Sequence, residues 1–207
     1  AGCAPELVYL PEVDFDMDKF LADVDRIYKE KGNCIAAVSE GIHYADGTFV
    51  SEAKTSATDG FGHAQLGGLA ALLANVVKER TGAKVRGIEL SLLQRCGAHL
   101  ASRTDIDESF LAGKTAVEAA VAGETDKMVG FVCTREGGHY KCETKLFNLS
   151  EVANFEKKVP MEWINADHNG VTQDFIDYAL PLIQGAAQAP TENSLPRFAR
   201  LKKVLAK

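Results

Sequence analysis

The chain has 207 residues, 46% of them apolar, and a formal net charge of −6. That is enough apolar material for one large domain or two small ones, with a core that needs no disulfides. The acid excess argues against general binding to nucleic acid or anionic membrane surfaces, and no segment nears the run of about 20 apolar residues that spans a bilayer.

In chain order, residues 7–10 form a short apolar run stopped by Pro11, which predicts a strand. Asp14 and Asp16 can cap a helix whose stripe is Met17, Phe20, Leu21, Val24, Ile27 and Tyr28, with Gly32 at its end. Residues 34–38 are continuously apolar, as in a strand covered on both faces, and run into Ser39, Glu40 and Gly41. Residues 43–60 are polar and glycine-rich and predict a loop. Leu66, Leu69, Ala70, Leu73, Val76 and Val77 mark a second helix closed by Gly82.

The segment KVRGIELSLLQR, residues 84–95, reads with period two as a strand carrying Arg86 near its start and Arg95 just past its end. Ser102 or Thr104 can cap a third helix with a core face of Ile106, Phe110, Val117 and Val121, up to Gly123. Residues 127–134 and 139–149 predict a hairpin that turns at 135–138. Ser150 can cap a short helix, and Thr172, Phe175, Ile176, Ala179 and Ile183 mark another that ends at Gly185. Residues 184–196 read as a linker, and Phe198, Leu201 and Leu205 as a last amphipathic turn or two on a basic tail. Strands alternating with helices predict an α/β fold with a mainly parallel sheet.

The five cysteines, at 3, 34, 96, 133 and 142, make no CxxC pair and no zinc-ligand spacing with a histidine. Cys34 and Cys133 sit in apolar runs, and the set reads as reduced and cytosolic. No signal peptide is recognised, and the AGCAPELVYL opening lacks an initiator methionine, as in a fragment or a processed chain.

An arginine offers a rigid fork of donors that fits a phosphate or carboxylate. Arg86 and Arg95, with Gln94 beside them, therefore form a candidate anion site; the alternative is two surface residues paired with nearby carboxylates. Glu40, at the end of an apolar strand and beside Gly41, can accept hydrogen bonds from sugar hydroxyls; the alternative is a loop cap. DGFGH, residues 59–63, favours an N-cap at Asp59 over a phosphate cradle. The five histidines form no ligand-like pair, no GxSxG is present, and Arg135 with Glu136 reads as turn chemistry.

KVRGIELSLLQR, followed by CGAHLASRTDIDESFLAGKTAVEAAVAG and preceded by LVYLPEVDFDM and NCIAAVSEGI, resembles the 6-phosphofructokinase family from Leu7 to about Gly185. DGFGHAQLGG is similar to mixed-donor and pyrophosphate-dependent members. The resemblance implies a partial three-layer α/β fold, a mainly parallel sheet flanked by helices. Residues 1–185 would be the C-terminal, substrate-binding portion and 186–207 a tail, with 104–149 packing towards an absent N-terminal half.

The resemblance also implies phosphoryl transfer to the 1-hydroxyl of fructose 6-phosphate in glycolysis. Glu40 would hold sugar hydroxyls, Arg95 the sugar phosphate of its own subunit and Arg86 that of a neighbour, in a homodimer or homotetramer. Glu12 resembles an effector-site residue. The aspartate base, the Mg²⁺ and the donor, ATP or by subgroup pyrophosphate, belong to the absent half, so no catalytic residue and no metal ligand is expected here and the isolated chain is expected to be inactive. Leu92 departs from the pattern, since family members usually carry His or Tyr three residues before the motif's arginine. The competing reading is a non-catalytic sugar-phosphate-binding or regulatory module.

Overall fold

A computed structural model describes residues 4–51 and 68–205, which divide into two compact units. One contains the chain up to Leu90 together with Lys157–Asp177; the other contains Ser91–Glu156 and the chain from Tyr178.

The first unit is built on a β-α-β element. Strand β1 (Leu7–Tyr9) pairs in parallel with β2 (Ala36–Val38), Leu7 opposite Ala36 and Tyr9 opposite Val38, and helix α1 (Met17–Lys31) connects them. The Asp16 carboxylate accepts from the Lys19 backbone N–H to start α1, and Gly32, at φ 76°, ends it in the left-handed conformation that suits glycine. Phe20, Leu21, Val24 and Ile27 form its buried stripe. The rings of Tyr9, Phe15 and Phe20 pack with centroids 5.3–5.6 Å apart, and Leu7, Ile42 and Val50 complete this side of the core. Helix α2 (Leu69–Thr81) adds Leu69, Leu73 and Val77.

Residues 157–177 return to this unit through two long-range ties. The Val159 N–H donates to Glu12 Oε1 at 2.8 Å. Asn169 is almost completely buried: its carbonyl accepts from the Val8 N–H at 2.9 Å and its Nδ2 donates to Asp23 Oδ2 at 2.8 Å. The same carboxylate oxygen accepts from the Tyr9 hydroxyl at 3.0 Å and Lys19 Nζ at 3.2 Å. Burial alone would raise the Asp23 pKa, but the hydrogen bonds from Asn169, Lys19 and Tyr9 outweigh it and hold the carboxyl below its ordinary range. Burial, reinforced by that carboxylate, pushes the Tyr9 phenol far above its usual range.

The second unit begins with helix α3 (Ser91–Cys96) and helix α4 (Arg103–Val121). Ser102 caps α4: its Oγ accepts from the Asp105 N–H at 3.0 Å while donating to the Leu182 carbonyl at 2.6 Å. Strands β3 (Lys127–Thr134) and β4 (Lys141–Asn148) form the predicted antiparallel hairpin. Helix α5 (Leu149–Val152) follows; helix α6 (Gln173–Ala179), which belongs to the first unit as far as Asp177, runs into a 3-10 turn at Leu180–Ile183, and β5 (Thr191–Glu192) pairs with β6 (Leu195–Pro196). The described residues thus combine one parallel strand pair with two antiparallel ones in an α/β arrangement.

Several expectations are corrected. Residues 84–90 join no sheet, and 91–96 are helical. Leu92, Leu93, Gln94 and Arg95 are all strong helix formers, which overrides the short period-two pattern. The stripe predicted to be the core face of α4 is exposed: Phe110 is 73% and Val121 84% accessible. The half-buried side is Glu108, Leu111, Ala112, Thr115 and Ala119, and Thr115 Oγ1 lies 3.1 Å from Thr144 Oγ1 of β4. Small residues there let helix and ribbon approach closely. Asn148, not Ser150, takes the N-cap position of α5. Residues 184–196 contain the β5–β6 hairpin, and no helix forms at 197–205, where Phe198 and Leu201 stay exposed. A helix that short needs a surface to pack on. The DGFGH segment and Leu66 lie outside the described residues.

Replacing Asp23 with alanine strands the buried Tyr9 hydroxyl and the Asn169 amide, and should cost about 2 kcal/mol at pH 7, read from the urea midpoint. Because the folded carboxyl titrates below its unfolded value, its contribution is complete above about pH 4 and is lost as the pH falls through the folded pKa. The gap between wild type and Asp23→Ala should therefore narrow in acid.

Candidate functional site

Because β1 and β2 are parallel, their carboxyl ends lie on the same edge, where ligands bind in open α/β sheets. The Ser39 N–H donates to the Tyr9 carbonyl at 3.0 Å, and Ser39 Oγ accepts from the Gly41 N–H at 3.4 Å. A Cβ on Gly41 would lie 3.5 Å from that of Pro11, so the two loops touch at this residue. Glu40 is thereby held on a tight turn with its side chain exposed, and no described residue pairs with its carboxylate. Glu12 differs. Its Oε1 holds the Val159 N–H, and its Oε2 is buried without a partner.

Arg86 sits on the irregular segment that crosses the start of α2. A Cβ on Gly87 would fall 2.4 Å from the Ala70 carbonyl oxygen, so only glycine lets this segment lie flat on the helix backbone. Glu89 Oε1 then accepts from the Gly68 N–H at 3.1 Å, at the positive end of the α2 dipole. These two contacts anchor the chain just after Arg86, which is itself exposed.

Gln94 and Arg95 lie on α3, in the second unit, so the predicted set is divided: Glu40 and Arg86 in one unit, Gln94 and Arg95 in the other. Ser91, at φ 28°, turns the chain into this helix. Helical spacing puts Leu92 on the face of Arg95 at i, i+3, whereas Gln94 and Arg95 diverge. The family's His or Tyr position therefore adjoins the arginine. Among the described residues no carboxylate pairs with Arg86 or Arg95, although Arg26 engages Asp23 and Glu30 and Arg103 engages Asp107. Two exposed, unpaired guanidinium groups can receive an anion without first breaking an ion pair.

Sequence reasoning missed the state of Arg135. Its guanidinium lies 5.2 Å from the Tyr140 ring centroid and 4.6 Å from that of Tyr178, and donates to the Tyr178 carbonyl at 2.9 Å. Tyr140, five residues on, was the available signal. A groove of about 650 Å³ lined by Asp126, Lys127, Asn148 and their neighbours contains none of the predicted residues, and Lys127 is tied to Asn148 at 2.6 Å. Among the described residues no group of three or more His, Cys, Asp or Glu could hold a metal, and no helix is long and apolar enough to cross a membrane.

The parallel β-α-β unit and the helices and ribbon around it define an α/β protein, and its fold is that of the phosphofructokinases. The solved pyrophosphate-dependent phosphofructokinase of Marinobacter aquaeolei superposes with a TM-score of 0.78 at 36% identity, over 100% of this chain and 47% of that one. The pyrophosphate–fructose 6-phosphate 1-phosphotransferase of Halomonas elongata is 41% identical over 202 residues, 98% of this chain and 48% of the relative. Its counterpart in Methylococcus capsulatus is 41% identical over 94% of this chain and 46% of the relative. No family model matches. The chain belongs to the phosphofructokinase family and spans about half the length of the curated relatives it matches, their C-terminal half.

Gly87→Ala should lower stability by about 1–3 kcal/mol, since the segment bearing Arg86 must lift from α2. Gly113→Ala in α4, where a Cβ meets nothing within 4 Å, should be neutral or stabilising by up to about 1 kcal/mol. Denaturant midpoints of the two variants check this contrast.

Proposed function

We propose that this chain is the acceptor-binding half of a pyrophosphate-dependent 6-phosphofructokinase, which transfers a phosphoryl group to the 1-hydroxyl of fructose 6-phosphate in glycolysis. The observation that carries this reading is the unpaired state of Arg86 and Arg95, at the motif positions of a chain that matches such relatives along nearly its whole length. Arg95, assisted by Gln94, grips the sugar phosphate of its own subunit, Arg86 reaches that of a neighbour, and Glu40 accepts from the sugar hydroxyls. The assembly is then a homodimer or homotetramer, and the enzyme is cytoplasmic. Glu12, bound to the Val159 N–H, acts as a loop anchor rather than an effector contact.

Positioning and neutralisation of charge carry phosphoryl transfer. This chain's share is to hold the acceptor while its arginines offset the phosphate charge. The described carboxylates do not fit a magnesium site, so no step runs through the ion here. Mg²⁺ would enter with the donor on the N-terminal half, which also supplies the base. The isolated chain is therefore inactive.

In the full-length enzyme, Arg86→Ala and Arg95→Ala should each weaken fructose 6-phosphate binding about 10- to 100-fold, read by calorimetry and as KM. Mixing the two weakened variants at substrate levels far below their KM, under subunit exchange, gives hybrids with one intact site and one doubly defective site. Recovered activity in the mixture supports the shared site. Unaltered affinity in both single variants overturns the acceptor reading, and additive loss without recovery puts both arginines in one subunit's site.

The exposed α4 stripe of Ile106, Phe110, Val117 and Val121 supports the same assignment, as the surface that packs towards the N-terminal half. Phe110→Asp should raise the solubility of the isolated chain, measured by sedimentation, and lower the thermal midpoint of the full-length enzyme. An unchanged full-length midpoint would count against that covering surface.

A further inference from the structure

Cys133 on β3 and Cys142 on β4 are direct partners in the antiparallel register. Directly opposed residues in such a pair have Cα atoms about 4.5 or 5.5 Å apart, and both spacings lie inside the roughly 4.4–6.8 Å that a disulfide spans. The ribbon therefore need not move to join them. Strand alternation puts this pair on the face that carries Thr144, which is bonded to Thr115, so both thiols face α4. Neither is sealed: both side chains are half-buried. Cys133 Sγ lies 3.4 Å from the Tyr140 hydroxyl. Cys96 is exposed on α3 without an opposed thiol in the register, and Cys34 belongs to the other unit.

We infer that Cys133 and Cys142 form a redox-active dithiol, closed to a disulfide by exchange with a low-molecular-weight disulfide and reopened by thiols. One cysteine gives up its proton and its thiolate attacks a sulfur of the small disulfide. That forms a mixed disulfide and expels one small thiolate, which is protonated. The second cysteine, deprotonated in turn, attacks the cysteine sulfur of the mixed disulfide and expels the second small thiol. Two electrons pass from the pair to the oxidant, and two thiols are released for one disulfide consumed. Burial, and then the neighbouring Cys133, push the Cys142 thiol up to about 11, so Cys142 rests as a thiol at neutral pH.

The bridge would close a ring over the 133–142 turn. Arg135 sits inside that ring, against Tyr140 and Tyr178. Oxidation thus couples a covalent clamp on the hairpin to the only arginine found stacked on aromatic rings among the described residues. Nothing in this inference depends on the acceptor-site reading.

The purified protein is equilibrated in glutathione buffers of graded oxidised-to-reduced ratio, quenched in acid, alkylated and mapped by mass spectrometry. The expected product is a 133–142 crosslinked peptide about 2 Da lighter than the two free thiols. It forms before any other crosslink, is unaffected by Cys96→Ser, and reverts with dithiothreitol. In Cys142→Ser the remaining Cys133 should instead retain a glutathione adduct. The inference is overturned if both cysteines stay alkylatable in oxidised glutathione, if they carry adducts that never close, or if they pair with other cysteines. The wild-type map decides even where Cys142→Ser fails to fold.

Discussion

The first unit depends on one carboxylate. Asp23 sits on α1 yet gathers a phenol from β1, an ammonium from its own helix and an amide from residue 169. Closing that contact across 146 residues has an entropy cost that grows only slowly with loop length, while leaving any buried donor unpaired costs the full desolvation of that group. The returning segment is thereby held against β1 at Val8 and again at Glu12, close to where the strand ends. The loop carrying Glu40 inherits its place from these ties, because Gly41 packs on Pro11.

Positions set by local chemistry were legible. Gly32 as a left-handed cap, Ser102 as an N-cap and the hairpin at 135–138 each follow from what one or a few adjacent residues can do. Positions set by a distant contact were not. Ile88, Leu90 and Leu92 alternate as a strand would, yet the segment is arranged by Gly87 lying on the backbone of Ala70 and by Glu89 on the α2 terminus. Nothing within residues 84–95 announces either contact. Arg86 and Arg95, the candidate anion site of the sequence, both lie exposed, and no carboxylate among the described residues engages them.

Helix α4 fails differently. Its most apolar stripe is real, but what packs on the ribbon is the flank with Ala112, Thr115 and Ala119. A hydrophobic pattern reports that a face wants covering, not which partner covers it. None of the described residues of the second unit is buried, whereas the first unit encloses a continuous core. A two-stranded ribbon with one helix offers too little apolar contact to stand alone.

The net charge of −6 sits oddly with the proposed site for a sugar phosphate, until range is considered. At physiological salt the Debye length is about 8 Å, so most of the acid excess is screened from a bound anion. What remains is the field of the groups in contact. An arginine already paired with a carboxylate must exchange one anion for another and gains little; among the described residues Arg86 and Arg95 have no such partner to lose. Leu92 beside Arg95 on α3 sharpens this, since it supplies neither a competing acceptor nor an additional donor. On the proposed reading the fork of Arg95 carries the local recognition of the phosphate, and selectivity between anions follows from bidentate geometry rather than from summed charge.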